Sequence, residues 1–196
     1  MRMIRLARHR SNVVSTPKTH SAIPAVSAFH RDLLIQSTLD ATVRSIEYVG
    51  RVHHGNRSAR ANTLLLNRDD GRFLFDIVGA RPDRAPDEEE TLFFGLKSEG
   101  IQLLELQPSE IHREPRFTNA RWIWKQRENR PWSLDRERIL DALGEYGPMS
   151  IGELDDCANA AADVEISVCS LACDDLVVVD LDSRPLGLDT VVRLRR

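Results

Sequence analysis

The sequence predicts an α/β protein in which helices flank a mixed sheet, followed by a smaller C-terminal domain of helices and a hairpin. Two apolar runs, residues 62–67 and 73–78, flank Asp69-Asp70-Gly71-Arg72, a pattern typical of a β-hairpin. Helix-like and strand-like segments are interspersed around this hairpin, which favours an α/β layer. Charge also divides the chain, because residues 1–130 hold 21 Lys and Arg against 16 Asp and Glu, whereas residues 131–196 hold 6 against 14. Two domains with different partners are therefore expected.

The composition is typical of a soluble globular protein: 196 residues, of which 41% are hydrophobic and 29% are charged. No apolar run approaches the roughly 20 residues that span a bilayer, and the basic N-terminus lacks the apolar core of a secretory signal. We therefore expect a cytoplasmic protein with no membrane partner. Cys157, Cys169 and Cys173 have no histidine cluster or fourth thiol nearby, so buried thiols in a reducing compartment are expected rather than a zinc site.

Residues 1–25 are predicted to be a flexible basic arm. They contain no acidic residue, and their cations are Arg2, Arg5, Arg8, Arg10 and Lys18. Such an arm can lie along a phosphate backbone, or it can be an inert terminus. The sequence leaves both interpretations open.

The elements between residues 26 and 130 are predicted from apolar spacing, caps and turn residues. Ser27 is a candidate N-cap for the first helix. His53 and His54 lie in a polar turn before the hairpin, and adjacent strand residues point to opposite faces, so they are not expected to bind a metal together. The predicted elements are a helix at 29–39, a strand at 42–51, the hairpin at 61–78, a helix at 91–100, a strand at 101–106 and a helix from 119 onward.

A basic and aromatic segment, residues 113–130, closes the first domain. Its cations surround Trp122 and Trp124, which is typical of a helix that faces nucleic acid. A helix that buries its tryptophans between two domains is the alternative. Pro131 marks the expected boundary, which gives an arm at 1–25, a first domain at 26–130 and a second domain at 131–196. The candidate DNA-binding residues are Arg57, Arg60, Arg113, Arg116, Arg121, Lys125, Arg127 and Arg130.

The second domain is predicted to contain three helices and then a hairpin, the order of a winged helix-turn-helix domain. Ser133 is the expected cap of the first helix, Ser150 and Glu153 form a capping box on the second, and the third is expected at residues 164–173. The third helix of such domains commonly enters the major groove. No Lys or Arg occurs between residues 154 and 183, so phosphates would be repelled. This domain is therefore expected to contact a protein partner or its own chain.

Together these segments resemble the TnsA family of transposon endonucleases, and the similarity runs from Phe29 to the C-terminus. The order of the segments carries the resemblance. They are the first helix beginning Phe29-His30-Arg31-Asp32-Leu33-Leu34, the helix-to-strand segment with Asp40 and Val43-Arg44-Ser45, the hairpin around Asp69-Asp70-Gly71, the strand ending Asp76-Ile77-Val78, residues 111–124, and the winged module. The resemblance implies a restriction-endonuclease-like domain of the PD-(D/E)XK class, followed by a winged-helix domain.

The resemblance also implies four active-site positions. They are an acid on the first helix, an Asp on the first hairpin strand, and a Glu or Gln followed two residues later by Lys on the second strand. Such carboxylates bind Mg²⁺, which activates water. In this sequence the positions fall on His30, Thr63, Asp76 and Val78. One carboxylate remains, so we expect no catalytic residue and no metal, and we expect His30 and Asp76 to form a buried hydrogen-bonded pair.

Two substitutes for the missing acids are considered. A shift in register would bring Asp69 or Asp70 into the site, but both are better explained as turn formers. Asp32 lies two helix positions from His30, about 200° around the helix axis and therefore on the far face.

The expected function is that of a catalytically inactive TnsA-like accessory or regulatory protein. It would bind the backbone of double-stranded DNA in transposition, mobile-element maintenance or transcription control, and its acidic winged domain would recruit a protein partner. Two alternatives remain. One is an active, divergent, metal-dependent DNA endonuclease that uses Mg²⁺. The other is a protein-only interaction module that acts as an adaptor and could be an oligomer.

Overall fold

The structure is a computed structural model that describes residues 13–195. Arg2, Arg5, Arg8 and Arg10 of the expected basic arm lie outside this range. The fold is mixed α/β, with a four-stranded mixed sheet flanked by helices. In chain order the elements are β1 (Val13–Val14), β2 (Ile23–Pro24), α1 (Ala28–Leu39), β3 (Val43–His54), β4 (Arg57–Arg68), β5 (Gly71–Ile77), α2 (Pro86–Ser98), β6 (Ile101–Leu106), α3 (Pro108–Ile111), α4 (Arg116–Lys125), α5 (Ser133–Tyr146), β7 (Met149–Ser150), α6 (Ile151–Ala158), α7 (Val164–Cys173), β8 (Val177–Val179) and β9 (Val191–Leu194).

The central sheet has the strand order β3-β4-β5-β6. Its first three strands are antiparallel neighbours, and β6 runs parallel to β5. The predicted hairpin is confirmed, with Leu65 opposite Leu74 and a turn at Asp69-Asp70. The predicted polar turn at 53–58 is shorter than expected. β3 continues to His54 and β4 begins at Arg57, because Gly55 adopts a φ of 55° and closes the turn in two residues.

The two faces of this sheet carry separate apolar cores. On one face, strand residues that include Leu66, Phe75 and Ile77 pack against Leu33 and Leu34 of α1. On the other face, alternate strand residues pack against α2, and they form a cluster of Ala59, Ala61, Leu65, Leu74, Leu92 and Leu96. The alternation of side chains along each strand therefore decides which helix a hairpin residue meets.

The C-terminal half has a third core, built from α5, α6, α7 and the small sheet β7-β9-β8. This core also includes Ile35 and Leu39 of α1, together with Ile123 and Trp124 of α4. The prediction of a helix that buries its tryptophans holds for Trp124, whereas Trp122 is 45% exposed. The winged-helix assignment and the boundary at residue 130 stay predictions.

The expectation of a flexible arm is wrong for residues 13–25. Here β1 pairs with β2, and Thr19 forms a bridge with Ile46 at the edge of β3. Lys18 is only 4% exposed, because its ammonium group donates to the backbone oxygen of Asp40 at 2.6 Å and lies 3.3 Å from a carboxylate oxygen of Asp175. Lys18, one of the cations of the predicted arm, is thus part of the internal packing.

Two local expectations in the C-terminal half also need correction. Trp132, not Ser133, is the N-cap of α5 and it makes no side-chain cap bond, whereas the capping box of Ser150 and Glu153 is confirmed. Cys169 and Cys173 are buried as expected, and burial raises the pKa of each thiol to about 12. Cys157 is exposed. In the described range no helix is both long enough and apolar enough to cross a membrane.

Gly95 lies where α2 passes closest to β3. A Cβ atom at this position would lie 2.6 Å from Cγ1 of Val52 and 2.9 Å from the backbone oxygen of His53. The oxygen cannot move without moving the strand, so we expect Gly95→Ala to lower the free energy of unfolding by about 1–3 kcal/mol in urea denaturation. Gly144→Ala in α5 is the matched control, because its Cβ would meet only Cδ1 of Leu194 at 3.8 Å. At Gly144, alanine should raise the free energy of unfolding by about 0.5–1 kcal/mol. If both variants changed the free energy of unfolding in the same direction, the close packing of Gly95 on β3 would be contradicted.

Candidate nucleic-acid interface

Asp76 is held by arginines rather than left open for a metal. Its side chain is only 2% exposed, and both of its carboxylate oxygens accept hydrogen bonds from Arg84. Nη2 of Arg84 donates to Oδ1 at 2.8 Å, and Nη1 donates to Oδ2 at 3.0 Å. Nη1 of Arg81 donates to the same Oδ2 at 3.2 Å. This fork-to-fork pairing is the strongest arrangement available to a carboxylate and a guanidinium group.

Arg84 is itself enclosed. Its side chain is 0% exposed, its Nε donates to the backbone oxygen of Arg60 at 2.7 Å, and its Nη1 reaches Glu89 at 3.3 Å. Arg81 is also hydrogen-bonded to Glu105. A permanent cation therefore neutralises Asp76 from the loop that precedes α2. Arginine cannot release its proton in a protein, so this pairing persists at any pH at which Asp76 is ionised.

The pKa of Asp76 reflects a competition between burial and these arginines. Burial raises the pKa of the carboxyl group, but the hydrogen bonds and charge of Arg84, and then those of Arg81, outweigh it. The pKa is therefore held below the ordinary aspartate value. The carboxylate is ionised at neutral pH and its charge is compensated within the protein.

Thr63 and Val78, the other two predicted hairpin positions, supply no ligand. The hydroxyl of Thr63 is buried and donates to the backbone oxygen of Phe75. Val78 follows the end of β5, and its backbone N–H donates to the oxygen of Leu106 at 2.9 Å. Both residues therefore hydrogen-bond to a neighbouring strand.

The expected pair between His30 and Asp76 does not form. Asp76 alternates with Phe75 and Ile77, whose side chains face α1, so its own side chain points to the α2 face. His30 belongs to α1, where its Nδ1 lies 2.8 Å from the hydroxyl of Ser27. Burial lowers the pKa of His30, which favours the neutral ring. The two residues lie on opposite sides of the sheet.

All three carboxylates of the hairpin, at positions 69, 70 and 76, are paired with arginines. Its α1 face carries the apolar side chains of Leu64, Leu66, Phe73, Phe75 and Ile77, together with Arg68 near the turn. Asp69 and Asp70 lie in the turn and pair with Arg44 and Arg68, and Asp32 pairs with His112. Among residues 13–195, no three His, Cys, Asp or Glu side chains are grouped so that they could hold a metal ion.

Five of the eight predicted DNA-binding residues are paired with carboxylates, and four of the five lie outside residues 121–130. Arg60 lies 3.1 Å from Glu88, and Arg57 lies 3.9 Å from Glu90. The other two pairs involve Asp182, which lies 2.7 Å from Arg116 and 3.8 Å from Arg113, and Arg116 also lies 3.0 Å from Asp40. Their charge is largely used within the protein.

The other four predicted residues lie on α4 and just after it. Arg121 lies over the ring of Phe117 at 5.2 Å, and Lys125 lies over Trp122 at 5.7 Å. Arg127 stacks on Trp124 at 5.2 Å and pairs with Glu128. In the part of the chain that the structure describes, no carboxylate lies within 4.0 Å of Arg121, Lys125 or Arg130. The aromatic rings fix the cations on one surface without neutralising them.

Arg31 joins this surface and was missed in the sequence. It lies on α1, which packs against α4, and it has no ion pair among the described residues. Arg31, Arg121, Lys125 and Arg127, here called the basic groove, line a single cavity of about 360 Å³. Arg31 is at least 90 positions from the other three in the sequence, and only the packing of α1 on α4 brings it close to them. Sequence spacing therefore could not reveal its place in the groove.

The third helix of the C-terminal half, α7, is not free to enter a DNA groove. Its residues from Ser167 to Cys173 are all buried, and the helix packs against α4 and α1. The expectation that this half contacts its own chain is therefore confirmed for α7. The basic groove remains the surface of the described structure best suited to a polyanion.

Comparisons with known proteins add no family assignment. No protein-family model matches the sequence, and no curated protein is found to be similar to it. The resemblance to the TnsA family stays a prediction.

Proposed function

We propose that this protein is a catalytically inactive DNA-binding accessory protein, in which a TnsA-like nuclease fold binds the backbone of duplex DNA through the basic groove. The observation that carries the proposal is the set of unpaired cations on α1 and α4. Arg31, Arg121 and Lys125 project from two packed helices and have no carboxylate to neutralise them in the described range. Phosphates are the natural counterions for such a surface.

The pairing of Asp76 in the hairpin supports the proposed absence of catalysis. A metal nuclease needs several oxygen ligands around one or two Mg²⁺ ions. Here the one carboxylate at the expected positions, Asp76, is already bound on both oxygens by Arg84. No cofactor is therefore proposed.

The topology supports a nuclease-like ancestry. The order α1, β3, β4, β5, α2, β6, with β6 parallel to β5, fits the restriction-endonuclease-like sheet that the resemblance implies. The order α5, α6, α7, β8, β9 fits a winged helix. We assign the winged part to protein recruitment, because it carries an excess of carboxylates and its third helix is buried. The setting would be a cytoplasmic DNA transaction such as transposition, mobile-element maintenance or transcription control.

Binding to a random-sequence duplex across a salt series tests this proposal. Affinity should fall linearly on a log–log plot, with a slope of about 0.9 per phosphate neutralised. In the double variant Arg121→Gln/Lys125→Gln, the slope should drop by about 2, with a uniform loss of affinity across sequences.

The matched control removes the same charge from paired positions, as Arg57→Gln/Arg113→Gln. This variant should keep the slope of the unmodified protein, because those guanidinium groups face Glu90 and Asp182. Equal losses in the two double variants would place the DNA elsewhere on the molecule. Salt-independent or absent binding would remove the proposal.

A further inference from the structure

The basic groove is concave, which distinguishes it from a flat backbone-binding strip. Its four cations converge on a cavity of about 360 Å³, whose wall includes the indole of Trp124. The cavity also contains Asp32, whose carboxylate lies 3.2 Å from Nε2 of His112. Arg127 is partly compensated by Glu128. Arg31, Arg121 and Lys125 then face the single carboxylate of Asp32, so the groove keeps an excess of two positive charges.

An excess of two positive charges in a concave site suits a compact anion that carries two negative charges. A backbone phosphodiester carries one negative charge and presents two free oxygens. A terminal phosphomonoester carries between one and two negative charges near neutral pH and presents three free oxygens. Several guanidinium and ammonium groups can bind those oxygens together with charge-assisted hydrogen bonds. The end of a strand can also reach further into the cavity than the middle of a duplex can.

An aromatic surface lies beside the cations. The side chain of Trp122 is 45% exposed, and the ammonium group of Lys125, which lines the groove, lies 5.7 Å from its ring. A base next to a phosphate bound in the groove could stack on this indole, and such stacking is independent of sequence. The partly exposed indole and the cations together match one nucleotide at a strand end.

We propose that the basic groove binds the terminal phosphomonoester of a DNA strand, with Trp122 stacking on the adjacent base. This inference deepens the proposed DNA binding and rests on it for the identity of the polymer. It assigns Arg31 the role of a phosphate ligand that is specific for strand ends. The protein would therefore recognise broken or processed DNA in preference to continuous duplex.

The test compares blunt duplexes of one sequence that differ only at their ends: 5′-phosphate, 3′-phosphate, or hydroxyl groups at both. Binding to the full chain is followed by tryptophan fluorescence in a Trp132→Phe background, because Trp132 is 82% exposed and would otherwise dominate the signal. We expect one of the phosphorylated duplexes to bind about tenfold more tightly than the hydroxyl duplex. Which of the two it is identifies the strand end.

Arg31→Gln should reduce this preference to less than about threefold. Arg193→Gln, which removes one exposed arginine on β9 outside the groove, should leave it intact. Deoxyadenosine 5′-monophosphate and deoxyadenosine, each titrated alone, provide a readout that does not depend on duplex binding. Circular dichroism melting of each variant confirms that the fold is retained.

The outcomes separate this inference from the proposed function. Salt-dependent binding that is equal for phosphate and hydroxyl ends overturns the inference and leaves the proposed function standing. Binding of the monophosphate but not the nucleoside, without duplex binding, supports the phosphate site and overturns the proposed function. If neither the duplexes nor the monophosphate bind, both the inference and the proposed function are overturned.

Discussion

Replacing Arg84 with methionine is expected to lower the free energy of unfolding by about 3–5 kcal/mol. The change leaves the carboxylate of Asp76, which is 2% exposed, without its bidentate partner in a site that water does not reach. For a chain of this length the melting temperature should fall by about 10 °C or more. Urea denaturation and thermal melting of Arg84→Met measure the effect.

Arg81→Met is the matched control. Arg81 contacts the same carboxylate oxygen, but its side chain is 39% exposed, and Asp76 keeps both bonds to Arg84. Arg81→Met should therefore lower the free energy of unfolding by about 1 kcal/mol or less. The double variant Asp76→Leu/Arg84→Met should recover much of the stability, because no buried charge is left without a partner. Equal stability of Arg84→Met and the unmodified protein would show that the pair is not a structural element.

The same pair has a consequence for acid stability. In the unmodified protein the pKa of Asp76 lies below its ordinary value. The stabilisation that ionised Asp76 gives to the folded state is therefore fully present above about pH 4, and it is lost as pH falls through the folded-state pKa. In Arg84→Met only Arg81 still opposes burial, so the pKa of Asp76 rises relative to that in the unmodified protein and protonation relieves the variant. The difference in unfolding free energy between the two proteins should therefore narrow as pH falls from 7 toward 4.

Asp175→Asn is expected to lower the free energy of unfolding by about 2–4 kcal/mol. Asp175 lies 3.3 Å from the ammonium group of Lys18 and 3.2 Å from Nε of Arg195. Arg195 in turn donates to the backbone oxygens of Ala41 and Val43. One carboxylate thus links the N-terminal segment, the start of the central sheet and the C-terminal half. Asparagine keeps the shape and tolerates the φ of 58° at this position, so the charge is the property tested.

Asp174→Asn is the control for this cluster. It removes the same charge one position earlier, where the carboxylate has no ion pair among the described residues, so its effect should stay within about 0.5 kcal/mol. Both variants are compared by urea denaturation at neutral pH. If Asp174→Asn lowered the free energy of unfolding as much as Asp175→Asn, the overall negative charge of this region, rather than the ion pair with Lys18, would be what stabilises it.

Local signals in the sequence were sufficient for most elements of the fold. The turn residues around Gly71 fixed the hairpin, Ser27 capped α1, and Ser150 with Glu153 marked the start of α6. Each of these depends on interactions within a few residues. The burial of Lys18 was missed, because it depends on contacts with Asp40 and Asp175, which are distant in sequence.

The site was less predictable for the same reason. Placing Asp76 in the second strand was correct, but its face depends on a side-chain alternation that a shift of one residue reverses. Its partner Arg84 lies in a loop that has no regular pattern. The candidate DNA-binding residues included the cations of α4, yet composition could not separate paired arginines such as Arg60 from unpaired ones such as Arg121.

Incubating supercoiled plasmid with the full chain in Mg²⁺ or Mn²⁺, with bound and cut DNA scored on the same gel, tests the central claim most directly. The account predicts plasmid that is retarded at low salt, released at high salt, and neither nicked nor linearised. Nicking or linearisation that disappears in Asp76→Ala would contradict it, because it would make Asp76 a metal ligand rather than the partner of Arg84.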